Sequence, residues 1–228
     1  MNFLSHYYFE RENPNENMVM GVVLPDFVKN AHKDWNLHPQ KEEVLFNTDP
    51  VYNSILKGWK KHLETDRLFH NSVFFIEQTT ALKQLILPAV STGPVKPFFL
   101  AHIALELLLD HLLVSQGKIN IQNFYIQLHQ ANTPALGLFL EKAKLPDMQL
   151  FSKFLNNFIS SRYLLSYQKT ENITYALNRI CMRLWENPFN DHQLTILTKQ
   201  LEFFKHTIAS SYLDIFTEIE IGLNKMPL

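Results

Sequence analysis

The sequence predicts an all-α fold in a single domain, on three observations. Apolar residues recur at three- and four-residue spacing over long segments, which is the signature of helices that bury one face. Only 6 Gly and 11 Pro interrupt 228 residues, few breakers for a chain of this length. Hydrophobic residues make up 46% of the chain and aromatic residues 13%, with 18 Phe, so there is side-chain volume for a large core.

In chain order the periodicity places helices over residues 16–30, 39–47, 50–69, 71–88, 96–116, 119–131, 134–144, 147–167, 171–186 and 191–224, the last open to a break. Polar Glu10–Asn17 precedes the first of these as a loop. Asp49-Pro50 and Thr133-Pro134 each supply a capping side chain followed by proline in the first turn. The segment from Pro88 to Pro94, with two prolines and a glycine between apolar runs, is the clearest loop. No repeat of solenoid period is present, and no composition shift demands a second domain.

The charges nearly cancel, 21 Lys+Arg against 22 Asp+Glu, so no global electrostatic footprint for nucleic acid or an anionic membrane exists. Cys181 stands alone, which excludes an intramolecular disulfide and a cysteine-rich zinc site and fits a reducing, cytoplasmic setting. The N-terminal residues lack the basic and apolar regions of a signal peptide. The apolar run Phe98–Val114 is interrupted by His102, Glu106, Asp110 and His111, charges and imidazoles that lipid would penalise, and is read as a core helix.

Two ladders could carry chemistry. His62, Asp66 and His70 lie four apart and share a helix face, a way for one rigid element to offer several metal ligands. The same spacing also describes a solvated helix edge beside Lys60, Lys61, Glu64 and Arg67. His102, Glu106 and Asp110 repeat that spacing inside an apolar run, with His111 adjacent; a carboxylate buried there must be paired, neutralised or metal-bound. A hydrogen-bonded network without metal answers the same need. His6 and Asp26 are single candidates, the latter expected at a turn or N-cap after Pro25. No nucleophile elbow and no glycine-rich phosphate loop is present. A ferritin-like di-metal bundle is disfavoured because its Glu-x-x-His signature is missing from both ladders.

Four short motifs occur in order: Met1-Asn2-Phe3-Leu4-Ser5-His6, Gly21 through Asp26-Phe27-Val28-Lys29, His62 with Asp66, and Asp110-His111, followed by weaker positions at Leu164, Tyr167, Arg179 and Arg183. In these the chain resembles the acyl carrier protein phosphodiesterases, over most of its length. The resemblance implies an HD-phosphohydrolase-like helical fold and metal-dependent hydrolysis, with manganese the usual ion. The reaction it implies releases 4′-phosphopantetheine from a serine of acyl carrier protein, an acidic helical partner. It also implies a centre lined by His6, Asp26, His62, Asp66, Asp110 and His111, with Asp66 and Asp110 as catalytic carboxylates. Lys29, His70 and Arg183 are implied substrate-binding positions. The chain departs from the family's pattern after Asp66, where an acidic residue is replaced by His70 and a later histidine by Ser72. That departure keeps two other readings open: an HD-like hydrolase of a nucleotide or another small phosphodiester, and a non-catalytic binding protein with a degenerate centre. An acidic carrier would dock on Lys57, Lys60, Lys61 and Arg67.

Overall fold

The computed structural model describes residues 1–90 and 92–225, and among them every regular element is helical. The α-helices are α1 (Phe3–Tyr8), α2 (Glu16–Ala31), α3 (Pro50–His70), α4 (Val73–Val90), α5 (Pro97–Ser115), α6 (Ile121–Ala131), α7 (Pro134–Lys142), α8 (Met148–Ser161), α9 (Thr170–Cys181), α10 (Asp191–Ile208) and α11 (Leu213–Leu223). The all-α expectation holds.

Several boundaries differ from the expected ones, each for a local reason. The helix expected over 39–47 is two 3₁₀ turns, Pro39–Lys41 and Glu43–Leu45, with neither cap made by a side chain. The helix expected over 147–167 stops at Ser161 because Arg162 adopts the left-handed conformation (φ 47°, ψ 33°), and the chain resumes as a 3₁₀ helix, Tyr163–Gln168. Asp49 caps α3 through Val51 N (2.8 Å) and Tyr52 N (3.1 Å), as the sequence implies, whereas Thr133 makes no side-chain cap bond. The segment expected to turn at Pro88 remains helical to Val90; Ser91, also within that expected loop, lies outside the described residues. The final helix is broken, between Ile208 and Leu213. The short α1 precedes the first helix that the periodicity places.

By contacts the chain forms two compact units that interleave along the sequence. One comprises Met1–Ser5, Arg67–Lys118 and Leu165–Asn224. Its centre is α5, with α4 and α9 packed on it and α10 against both of those. Every residue from Ala104 to Leu113 is buried, so α5 is apolar nearly all round because it is enclosed all round. It is also the one described helix long and apolar enough to cross a membrane, and most of it is buried within the fold, as a core helix is.

The other unit comprises His6–Asp66 and Ile119–Leu164, with α2 packed against α6 and α8. Here α2 and α3 cross at two glycines. A Cβ on Gly21 would lie 2.4 Å from the Ile55 carbonyl oxygen, and one on Gly58 would lie 2.7 Å from the Gly21 Cα. Only the absence of both side chains lets the two backbones approach so closely. Pro25, inside α2, has no N–H to give the Gly21 carbonyl one turn back, so the helix is weakened at the crossing.

Candidate metal centre

The glycine crossing brings His62 of α3 against the backbone of α2, where its Nδ1 lies 2.8 Å from the Val22 carbonyl oxygen. A carbonyl only accepts, so Nδ1 carries the proton and Nε2 carries the lone pair. Burial, and next the adjacent His6, hold the His62 imidazole well below its ordinary pKa, so it is neutral at pH 7. Its Nε2 faces two carboxylates, Asp66 Oδ2 at 3.7 Å and Asp26 Oδ1 at 3.9 Å. With a neutral ring these close approaches are not ion pairs; lone pairs face lone pairs.

His6, on α1, stacks on the His62 ring with centroids 3.8 Å apart and planes 18° from parallel. Its Nε2 lies 3.3 Å from Asp66 Oδ1. Burial works against the Asp66 charge, but positive neighbours and the adjacent His6 outweigh it and hold the carboxyl well below its ordinary range. His6, His62 and Asp66 thus present three ligand atoms within 4.8 Å of one another. Both imidazoles are buried, while the side chains of Asp26 and Asp66 are 26% and 32% exposed, so the carboxylate side opens to solvent. Asp26 sits inside α2 rather than at a turn or cap.

The residues present fit a divalent ion. A buried, neutral imidazole whose free lone pair points at two carboxylate oxygens, and whose other nitrogen is anchored to a backbone carbonyl, is how proteins present histidine to a metal. The stacked second imidazole and the open carboxylate side complete a donor set of mixed N and O character.

Asp110 and His111, expected beside these residues, belong to neither three-ligand group found among the described residues. Asp110 is fully buried and accepts from Leu4 N (3.2 Å), Ser5 N (2.7 Å) and Ser5 Oγ (2.7 Å). It satisfies the first free N–H groups of α1, acting as a helix cap supplied from α5. Burial, opposed by those three donors, pushes its carboxyl up to about 7. Asp110→Ala would strand three donors in the interior, and the expected loss of stability is about 2–4 kcal/mol, measurable by urea denaturation. His111 gives Nδ1–H to the Tyr167 carbonyl (2.6 Å) and lines an open 650 Å³ cleft with Glu171, Glu202 and Lys205. Tyr167 of the C-terminal pattern meets His111 through its main chain.

Lys29 is exposed in the last turn of α2, and Arg183 is exposed in the turn after α9. The lysines expected to form a docking face are partly committed within the fold: Lys60 Nζ pairs with Glu43 at 2.9 Å, and Lys61 pairs with Glu10 and reaches the Phe9 carbonyl.

His70 leaves its ladder. Its Nε2 lies 3.1 Å from His102 Nε2 and 3.3 Å from Glu106 Oε1, and His102 Nε2 lies 3.0 Å from that same oxygen. This second group of three ligand atoms was not foreseen as a unit; each half of it was visible only as a rung of a separate ladder. Ser72, at the other departure from the family pattern, accepts from Phe75 N (3.1 Å) and so caps α4. Cys181 is buried, its thiol pushed up to about 12 by burial, and unreactive.

Fold and site together define an all-helical protein with an imidazole–carboxylate pocket suited to a divalent cation. The family model for acyl carrier protein phosphodiesterase matches residues 1–219, nearly the whole chain. The chain belongs to that family, whose name denotes a phosphodiesterase hydrolase with acyl carrier protein as substrate partner. No curated protein and no solved structure matches it.

Proposed function

We propose that this protein is a metal-dependent phosphodiesterase that hydrolyses the bond between 4′-phosphopantetheine and the serine of holo acyl carrier protein. One observation carries the metal dependence: the neutral Nε2 of His62 faces Asp26 and Asp66 with no proton to share. A divalent ion held there by His6, His62 and Asp66, manganese by family resemblance, would supply Lewis acidity toward a phosphoryl oxygen and lower the pKa of water.

In this reading His6 and His62 hold the nitrogen side of the site, with Val22 fixing the tautomer of His62. Asp66 and Asp26 line its open side, where Asp26, outside the three-ligand group, accepts a proton from the attacking water. The water oxygen bonds to phosphorus in line with the serine oxygen, which departs and takes up a proton to leave apo carrier protein and free 4′-phosphopantetheine. Lys29, one turn beyond Asp26 on α2, is the cation assigned to a phosphate oxygen. Asp110 acts as a positioning residue for α1, which carries His6, rather than as a reacting group.

The test is incubation with Mn²⁺ and holo carrier protein, following 4′-phosphopantetheine release by mass spectrometry, with Asp66→Asn as the inactive control. Asp110→Ala is a poor control, since its loss of activity would report lost structure. Release that is abolished by chelator and restored by Mn²⁺ is expected. Metal uptake without release would exclude the carrier-protein reaction and leave a small phosphodiester as the substrate class to screen.

A further inference from the structure

We propose that His70, His102 and Glu106 form a second metal site, selective for a divalent transition ion of the zinc class with two nitrogen ligands and one oxygen. The proposal stands apart from the phosphodiesterase reading, because every one of these residues lies in the unit built on α5 and none belongs to the His6–His62–Asp66 group.

Proton counting is the first argument. Three atoms, two Nε2 and one Oε1, sit pairwise at 3.0, 3.1 and 3.3 Å. If both imidazoles carry Nε2–H, the 3.1 Å contact sets donor against donor. If either lacks that proton, its lone pair meets a carboxylate lone pair at 3.0 or 3.3 Å. With Glu106 ionised, no assignment of protons satisfies all three contacts, whereas one cation satisfies them together.

Size is the second. Bonds of about 2.1 Å set ligand atoms about 3.4 Å apart around a tetrahedral ion and about 3.0 Å apart around an octahedral one. The observed triangle, 3.0 to 3.3 Å on an edge, lies within that span.

The surroundings fix the donors. His102 and Glu106 are one turn apart on α5, and the carboxylate is 12% exposed. The buried Phe75 ring stands edge-on to both imidazoles, 4.9 Å from each centroid, and holds both planes. The imidazole side chains are 32% and 29% exposed, so a fourth position opens to solvent. Glu106 Oε1 also meets the Met1 ammonium at 3.1 Å; with a cation bound, that oxygen has two partners for its two lone pairs instead of three. The departure from the family at position 70 places an imidazole here, a ligand that favours zinc-class ions over magnesium.

Metal content and the Co²⁺ spectrum of the full chain test this. Chelator-stripped protein should take up one equivalent more Zn²⁺ than His102→Asn or His70→Asn, measured by titration calorimetry and elemental analysis. Co²⁺ should give visible bands of low coordination number that either variant loses, with affinity at this site weakened at least about 100-fold. Retention of wild-type stoichiometry and spectrum by both variants overturns the proposal. His62→Asn separates the two centres: if it alone removes bound metal, the second site does not exist, and if it removes none while His102→Asn does, the first reading fails and this one stands. The side chains exchanged are partly exposed, and matching thermal unfolding of the metal-free forms verifies their fold.

Discussion

Replacing Gly58 by alanine is expected to destabilise the protein by about 3 kcal/mol or more, at or above the upper end for overpacking a core. The added carbon would sit 2.5 Å from the Met18 carbonyl oxygen and 2.7 Å from the Gly21 Cα. Both obstacles are backbone, so no rotamer relieves the clash and the helices must separate. For a chain of this size that energy corresponds to a fall in Tm of about 6–12 °C, read by differential scanning calorimetry. Gly137→Ala is the contrasting substitution. Its Cβ would meet only Met148 Cε, at an ordinary 3.7 Å, within α7. Alanine there should stabilise by up to about 1 kcal/mol, through helix propensity alone. Equal effects at the two positions would mean that α2 and α3 do not cross at their glycines.

Removing the imidazole of His62 is expected to lower kcat for release of 4′-phosphopantetheine by about 10²–10³-fold, the scale of several kcal/mol of charge stabilisation. His62 supplies one of the three convergent ligand atoms and packs face to face on a second, His6. His62→Ala should therefore also raise the Mn²⁺ concentration needed for half-maximal activity. A variant with unchanged metal requirement and near-normal turnover would remove His62 from the centre. His38, exposed in the turn before Pro39 and outside both ligand groups, is the matched control: His38→Ala should leave turnover within twofold.

The helical class was legible because period and composition agree over long segments, and the best-defined helix starts carry local chemistry: Asn15 accepts from Asn17 N and Met18 N at the head of α2, and Asp49 does the same for α3. The ladders were legible only in part. Residues four apart on a helix drift about 40° per step, so the first and third rungs lie about 80° apart. Spacing therefore joined His62, Asp66 and His70 in one row, although the first pair faces His6 and Asp26 while the third joins α5. For the same reason Asp110 parts from His102 and Glu106 and turns to the N–H groups of α1. A six-residue helix such as α1 has too little period to announce itself, and the cap that holds it comes from 105 positions away. The motif positions 21 and 70–72 show the same limit from the other side. Gly21 matters through a space it leaves empty, and Ser72 through a cap.

The Val22 carbonyl that holds His62 belongs to the main chain, and every amino acid has one. A systematic alanine scan would therefore register at position 22 only the loss of a buried valine side chain, while one of the site's fixed points ran through its main chain. Its contribution would surface only indirectly, in substitutions that bend or shift α2. Gly21, whose altered path would carry that oxygen away from the ring, would then look like an active-site position in a genetic screen without its own atoms approaching substrate.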